Sequence, residues 1–149
     1  MADAKILQLA DAVVSALNGA TWPQGVNMAA VWLPLPLFDL QDLPGLHVTV
    51  IAGHDAASFT TDPGQTAGKT DVAIVLQQQL AADSLEDDVA ALLDIEQGIL
   101  DLFLGKRLAS YSGEALCRTA EQLGYDLPAL KEKLEFLGIV TLTLDLLDD

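Results

Sequence analysis

The clearest pattern in the chain is an alternation of apolar and polar residues near the C-terminal end. One parity is apolar and the other is polar, because Val140, Leu142, Leu144 and Leu146 alternate with Thr141, Thr143 and Asp145. A period of two residues with β-branched members is typical of a strand that has one buried face. We therefore expect residues 136–147 to form a central strand, onto which the other elements of the fold pack.

Two segments repeat their apolar residues with the spacing of a helix. Residues 3–18 place apolar side chains on one face and polar side chains on the other, and an Asn-Gly pair supplies the helix end. Residues 84–104 show the same spacing, with three acids in the first turn and a glycine after the last turn. Residues 126–134 are predicted to form a shorter helical turn. The two long segments each present one face for packing.

Four further apolar segments are short enough to be strands. They span residues 28–33, 47–52, 71–79 and 115–121. Residues 53–70 are rich in glycine and small polar residues, which predicts a long loop. With the order α-β-β-β-α-β-β and no linker, residues 1–149 are predicted to form a single α+β domain. Its helices pack on one face of a mixed, mainly antiparallel β-sheet.

Charge narrows the functions that are open to this chain. It carries 22 acidic residues against 7 basic ones, a formal net charge of −15. Such a surface repels phosphate backbones, which argues against nucleic-acid binding through a basic patch. No window approaches the roughly 18 uninterrupted apolar residues of a membrane span. A lone Cys117 excludes an internal disulfide and favours a reducing cytoplasm, so we expect an intracellular product without a membrane partner.

Candidate phosphate and metal sites fail on spacing. Residues 64–70 resemble a phosphate-binding loop, but three residues separate its glycines where the motif requires four, and a predicted strand follows where the motif opens a helix. His47, His54 and Asp55 could contribute metal ligands, but no second cluster or cysteine pair supplies the rest. We therefore expect a surface loop, ordinary histidines and no structural metal.

Candidate catalytic residues are also incomplete. Cys117, Ser110 and Ser112 lack a base and a group to orient it, so they predict no nucleophilic triad. Glu96 lies close to the apolar stripe of the second predicted helix, and we interpret it as a boundary carboxylate rather than an acid with a raised pKa. The sequence thus predicts no catalytic, cofactor-binding or metal-binding residues and no enzymatic activity.

The unusual apolar segment spans residues 32–38. Five large apolar side chains stand on a backbone that two prolines stiffen, and they are Trp32, Leu33, Leu35, Leu37 and Phe38. Rigid apolar groups lose little entropy on association, so these five residues are the candidates for a protein interface. The alternative is a loop folded over the edge of the sheet as an extension of the core. The residues alone leave both possibilities open.

Several stretches together resemble a known family. They are Val13-Val14-Ser15-Ala16-Leu17-Asn18, the run from Leu33-Pro34 through Phe38-Asp39-Leu40-Gln41-Asp42-Leu43, His47-Val48-Thr49-Val50, Gly105-Lys106-Arg107-Leu108 and Val140-Thr141-Leu142-Thr143-Leu144. In these positions the chain resembles small phage and prophage structural proteins that are encoded among tail genes, similar to tail terminator or tail-completion (neck) proteins. The matches span most of the chain and fall on structural positions.

The resemblance implies a structural role in the virion. It implies a homo-oligomeric ring, usually of six copies, at the head–tail junction. The partners would be the tail tube protein and the head-connector proteins, and DNA would pass through the ring without specific binding. The protein would be made in the cytoplasm of the bacterial host and reside in the tail or neck.

Two other readings remain open beside the tail terminator role. One is a head-completion (connector) protein. The other is an intracellular protein- or peptide-binding module without catalytic activity, which uses the apolar loop or a sheet edge. A small hydrolase that uses Ser, Cys or His is less favoured than any of these, because the sequence offers no complete set of catalytic residues.

Overall fold

A computed structural model of the protein describes residues 5–23, 26–34, 45–52, 58–59, 67–108 and 114–147. In chain order the elements are α1 (Lys5–Gly19), β1 (Ala30–Trp32), β2 (His47–Ala52), β3 (Ser58–Phe59), β4 (Ala67–Gln79), α2 (Leu85–Phe103), β5 (Glu114–Tyr125), α3 (Leu127–Lys133) and β6 (Glu135–Leu147). A single 3₁₀ turn, Ala82–Ser84, precedes α2. Over these ranges, no helix combines the length and hydropathy needed to cross a bilayer.

The strands form one mixed sheet, which confirms the predicted α+β class. Five strands follow the order β1-β2-β4-β6-β5, and the two-residue β3 pairs with β4 beside them. β1 and β2 are parallel, and the other pairs are antiparallel. β1 and β5 are therefore the outer strands of the five-strand path, and they lie at opposite edges of the sheet.

The C-terminal strand β6 lies inside the sheet, as its alternation predicts. It pairs with β4 on one side and with β5 on the other. Val140, Leu142 and Leu144 are fully buried, and Thr141 on the other parity is half-buried. Asp145 departs from the expected wet face, because it is buried and forms an ion pair with Arg118 of β5.

Both long helices cover the same face of the sheet. α1 contacts β1 and β2, and α2 contacts β5 and β6. One continuous core joins them: Leu9, Val13 and Leu17 of α1, Leu92, Ile95, Ile99 and Phe103 of α2, and Val50, Ile74, Leu76 and Val140 of the sheet are all buried. Side chains of the opposite parity form a smaller apolar cluster of Ile51, Ala73 and Val75 with Leu137 and Ile139.

Several strand boundaries differ from the prediction. β4 begins at Ala67, and β3 pairs with it through Ser58 and Lys69, so part of the predicted 53–70 loop is sheet. Residues 53–57 and 60–66 of that loop lie outside the described residues. The cause is long-range pairing, since β6 continues beside β4 as far as the Ala67–Leu147 pair. Local composition contains no trace of that partner.

The remaining differences change the predicted element order. β5 runs on past residue 121 to Tyr125 with two register shifts, and β1 is shorter than the predicted 28–33 segment. α3, predicted as a helical turn, stands between β5 and β6. The described elements therefore follow α-β-β-β-β-α-β-α-β, because β3 adds a strand and α3 counts as a full element.

A tryptophan and an asparagine anchor the connection that follows α1. The Trp22 indole N–H donates to the Leu17 carbonyl at 2.8 Å, and its ring lies so close to Gly98 of α2 that a Cβ there would sit 3.1 Å away. The Asn18 side chain makes two hydrogen bonds to Ala30, accepting from its N–H at 2.8 Å and donating to its carbonyl at 3.1 Å. The start of β1 is therefore fixed to the end of α1.

Leu142→Asn should lower the free energy of unfolding by about 4 kcal/mol, because it leaves a cavity and buries an unpaired amide in the core. The matched variant Thr141→Asn, one residue away on the other face, should cost about 1 kcal/mol or less. Urea unfolding followed by circular dichroism measures both. Equal losses would contradict the one-sided burial of β6.

Candidate functional site

Of the residues considered as metal ligands or nucleophiles, the structure describes only His47 and Cys117, and these two lie on different strands, β2 and β5. His47 lies half-buried at the beginning of β2, and Cys117 lies buried in β5. His54, Asp55, Ser110 and Ser112 lie outside the described residues. Within the part of the chain that the structure describes, no group of three or more His, Cys, Asp or Glu is placed to hold a metal ion.

The Cys117 thiol is in the wrong state for a nucleophile. It has no exposed surface, and its Sγ donates a hydrogen bond to the Thr119 carbonyl at 3.4 Å. Burial raises the pKa of the thiol to about 11. Since the thiolate is the reactive form, the protonated and buried thiol is chemically inert near neutral pH.

The segment that resembles a phosphate loop continues into a strand. Gly68 pairs with Leu146 and Lys69 with Asp145 in the β4–β6 ladder, whereas residues 64–66 lie outside the described residues. A phosphate loop needs a helix N-terminus directly after its glycines, so that backbone N–H groups point at the anion. β4 offers no such helix end at this position.

Glu96 of α2 is a fully buried acid, which corrects its interpretation as a boundary carboxylate. Its side chain has no exposed surface, and neither carboxylate oxygen has a hydrogen-bond partner of normal geometry among the described residues. Loss of hydration raises the pKa of the carboxyl from 4.5 to about 7. The Gln122 side chain and the Gly124 backbone approach the carboxyl and lower its pKa by less than burial raises it.

The absence of a side chain on Gly138 of the neighbouring strand β6 makes room for this carboxyl. A Cβ on Gly138 of β6 would collide with Glu96 Oε2 and would lie 2.8 Å from the Gly124 carbonyl oxygen. Gly124 has a φ of +73° and lies within the register shift between Gln122 and Tyr125 of β5. The acid therefore lies between α2 and an irregular stretch of β5. In this conformation the carboxyl is shielded from solvent, and with a pKa of about 7 it is partly protonated near neutral pH.

The interface candidates are only partly within the described residues. Trp32 is 39% exposed, and Leu33 is half-buried with its N–H donating to the Val50 carbonyl at 3.2 Å. Leu35, Leu37 and Phe38 lie outside the described residues. Val31, which precedes Trp32 on β1, is 50% exposed. The outer strand β1 thus presents two large apolar side chains.

Sequence reasoning missed a second group of exposed apolar residues. Leu123, Tyr125 and Leu127 are 56%, 38% and 59% exposed, and they lie within five residues at the junction of β5 and α3. We name them the corner patch. They were missed because the strand was predicted to end at residue 121. Leu123 and Tyr125 share a parity, which is typical of side chains on one face of a strand.

A groove lies on the side of α2 that faces the connection after α1. It encloses about 480 Å³, and Trp22, Val26, Ile95 and Leu102 supply apolar walls, with Asp94 and Asp101 also lining it. A second groove of about 570 Å³ adjoins it and shares Val26 and Ile95. We name the first of them the α2 groove. Its apolar lining and two carboxylates suit a ligand that is apolar and positively charged.

Glu96→Gln should stabilise the protein more at higher pH. The folded pKa lies above the unfolded value, so the folded state loses stability relative to the unfolded chain as pH rises from 4.5 towards about 7. Glutamine has no such dependence, and its advantage in free energy of unfolding should grow by about 2 kcal/mol between about pH 5.5 and about pH 8. Urea unfolding at the two pH values measures it.

The control for this measurement is Asp11→Asn, which removes one charge from an exposed position of α1 that does not line the α2 groove. It reports the effect of net charge alone. A Glu96→Gln advantage that does not change with pH would show that the carboxyl is hydrated in the folded protein.

Gly138→Ala should destabilise the fold by about 3 kcal/mol, since the added methyl overpacks a filled site. Its Cβ would lie 2.7 Å from a Phe136 ring carbon as well as against Glu96 and the Gly124 carbonyl. Gly19→Ala is the matched control, because no atom lies within 4 Å of the added carbon there. Thermal unfolding compares the two variants, and equal stability would mean that the strands yield to the methyl group.

Among the described residues, the features that could bind another molecule are exposed apolar surfaces and a groove. They comprise an apolar outer strand, the corner patch and the α2 groove. No protein-family model matches the chain, and comparison with curated proteins finds no match either.

Proposed function

We propose that the chain is a non-enzymatic structural subunit of a phage virion, similar to tail terminator or tail-completion proteins, which assembles into a ring at the head–tail junction. The observation that carries this proposal is the distribution of exposed apolar side chains. Val31 and Trp32 lie on β1, whereas Leu123 and Tyr125 lie on β5, at the opposite edge of the sheet.

Two different surfaces are what a cyclic assembly needs. In a ring of more than two copies each subunit contacts its neighbours through two distinct faces, one on each side. Exposed apolar side chains grouped at separate places favour protein contacts at both. Apolar residues at two opposite edges therefore support a head-to-tail arrangement of copies, whereas a twofold dimer needs only one such surface.

Charge bears on what holds the ring together. Six copies at −15 each would gather a formal charge of −90 before counterions bind. Net electrostatics opposes such an assembly, so its attraction has to come from apolar contacts and local charge pairs. An acidic lumen would also let DNA pass without adhering, because both surfaces are negative. The tail tube protein and the head-connector proteins are the partners of this proposal.

The chemistry of the described residues supports the non-enzymatic part of the proposal. The Cys117 thiol is protonated near neutral pH, and Glu96 has no exposed surface. Neither residue can meet a substrate in this conformation. The role of a connector on the head side of the neck remains an alternative within the same structural class.

A protein- or peptide-binding module is the second candidate, and the α2 groove favours it. A groove of about 480 Å³ lined by Trp22, Ile95 and Leu102 has room for apolar side chains of a partner. The two candidates differ in self-assembly, since a binding module needs no second copy of itself.

Val31→Ser combined with Trp32→Ser should raise the dissociation constant for self-assembly about tenfold or more, because large exposed aromatics dominate interface energies. Sedimentation at moderate salt, where charges beyond about 8–10 Å are screened, measures the shift towards monomer. Negative-stain images of the wild-type assembly test for closed rings. Circular dichroism of the variant checks that its fold is intact.

The matched control is Leu104→Ser, which removes an equally exposed apolar side chain at the end of α2, away from β1. It should leave assembly unchanged. Mass spectrometry of purified particles from the phage or prophage that encodes the chain supplies the decisive check, since a virion without this protein contradicts the structural role.

A further inference from the structure

The charges of this chain are unevenly distributed. Residues 106–133 hold five of the seven bases and four of the 22 acids, a local charge of +1, which leaves −16 for the rest of the chain. Residues 70–105, which include α2, hold eight acids and no base. Residues 106–133, which include β5 and α3, are therefore the stretch of the chain that repels an acidic surface least.

The corner patch lies within residues 106–133, and contacts with neighbouring elements hold its Tyr125 and the adjoining α3 in place. The ring of Tyr125 packs on Phe136 with 5.7 Å between centroids. Asp126 begins α3 by accepting a hydrogen bond from the Ala129 N–H at 3.2 Å, and Gln79 of β4 donates to the Lys133 carbonyl at 2.8 Å. Ordered apolar groups lose little entropy on binding, which makes this patch suited to an interface.

Two exposed lysines accompany the patch. Lys131 and Lys133 lie in the last turn of α3, within six residues of Leu127. Apolar side chains next to ammonium groups form a surface that complements an apolar groove with carboxylates at its rim. Residues 123–133, which contain the corner patch and both lysines, also hold two acids, Asp126 and Glu132.

The α2 groove has the complementary composition. Its walls are apolar, and Asp94 and Asp101 are exposed on α2. Trp22 is fixed there by its hydrogen bond to Leu17 and by its packing on Gly98, so the groove does not depend on a partner for its shape. The groove faces the α1 side of α2, whereas the corner patch lies at the β5 edge.

We infer that the corner patch and the α3 lysines of one copy dock into the α2 groove of the next copy. This inference rests on the proposed assembly: the corner patch belongs to its β5 face, and the α2 groove, which Trp22 and Val26 of the connection leading to β1 help to line, extends its β1 face. Leu123, Tyr125 and Leu127 enter the apolar groove, and Lys131 and Lys133 meet Asp94 and Asp101. Since patch and groove are different surfaces of the same chain, the contact is heterologous and repeats from copy to copy.

Charge reversal separates this contact from general electrostatics. Asp94→Lys with Asp101→Lys changes the net charge by +4, from −15 to −11, which reduces repulsion between copies. General electrostatics predicts tighter assembly, whereas the docking contact predicts a dissociation constant raised about tenfold or more. Sedimentation equilibrium at one moderate salt concentration measures it.

The matching reversal is Lys131→Glu with Lys133→Glu, which takes the net charge to −19 and should also weaken assembly. The chain carrying all four changes returns to −15, the wild-type value, and regains the opposite charges across the contact. We expect it to assemble at least about tenfold more tightly than either pair alone. The four-change chain behaving as the sum of the two pairs would overturn the inference.

The control is Asp11→Lys with Asp83→Lys, which also gives −11 but alters two exposed acids that do not line the groove. It should assemble as tightly as the wild type or more tightly. If it weakens assembly as much as the groove variant does, the groove has no special part in the contact.

Disulfide trapping tests the docking contact even if copies associate too weakly for sedimentation to detect. Leu127→Cys with Asp94→Cys in one chain should give cross-linked multimers under mild oxidation, since the native Cys117 is buried and its pKa of about 11 keeps it unreactive. Leu127→Cys with Ala82→Cys, at an exposed position before α2, should give few. Equal trapping in both chains argues against the docking contact.

The outcomes separate the two proposals. If the wild type forms rings and the groove and α3 variants assemble equally well, the ring proposal stands and the docking contact is wrong. If disulfide trapping gives filaments and no closed rings form, the docking contact is supported and the ring proposal is contradicted. A wild-type chain that forms neither oligomers nor trapped multimers would overturn both.

Discussion

The pairing of β4 with β6 is the interaction on which the rest of the structure depends. Thirteen residues of each strand pair without interruption, from Ala67 with Leu147 to Gln79 with Glu135. β2 pairs on the outer side of β4, and β5 pairs on the outer side of β6, so both edges of the sheet are built outward from this ladder. Its even-numbered residues form the floor on which α1 and α2 pack. A slip of one residue would turn that floor to the opposite side of the sheet and expose the core.

Elements with a local pattern could be predicted from the sequence, whereas elements that depend on long-range pairing could not. The alternation from Val140 onward and the helical spacing of α2 report burial that each segment shows by itself, so both elements were found. The beginning of β4 shows no alternation in Ala67, Gly68 and Lys69, and only its partner strand makes it part of the sheet. The continuation of β5 to Tyr125 was missed for the same reason.

The candidate functional residues were likewise predicted where the signal is local and missed where it depends on distant segments. Trp32 stood out because large apolar residues beside prolines are visible in a local window. Glu96 did not, since its carboxyl fills the space beside Gly138, a residue of another strand that lies 42 positions further along the chain. The corner patch needed the true end of β5, and the α2 groove needed the packing of Trp22 on Gly98. Concave or composite surfaces of this kind arise from several distant segments, which no single window of sequence contains.

The pair of hydrogen bonds between Asn18 and Ala30 limits how copies of this protein can join. The side-chain amide stands in for a neighbouring strand, because it occupies one N–H and one carbonyl of Ala30 in the outer strand β1. A strand from another molecule that approached there would have to displace the amide. Addition of a strand from another molecule is thereby discouraged at the beginning of β1. An edge strand whose backbone groups are already bonded to a side chain of its own molecule is a poorer template for aggregation than a bare one.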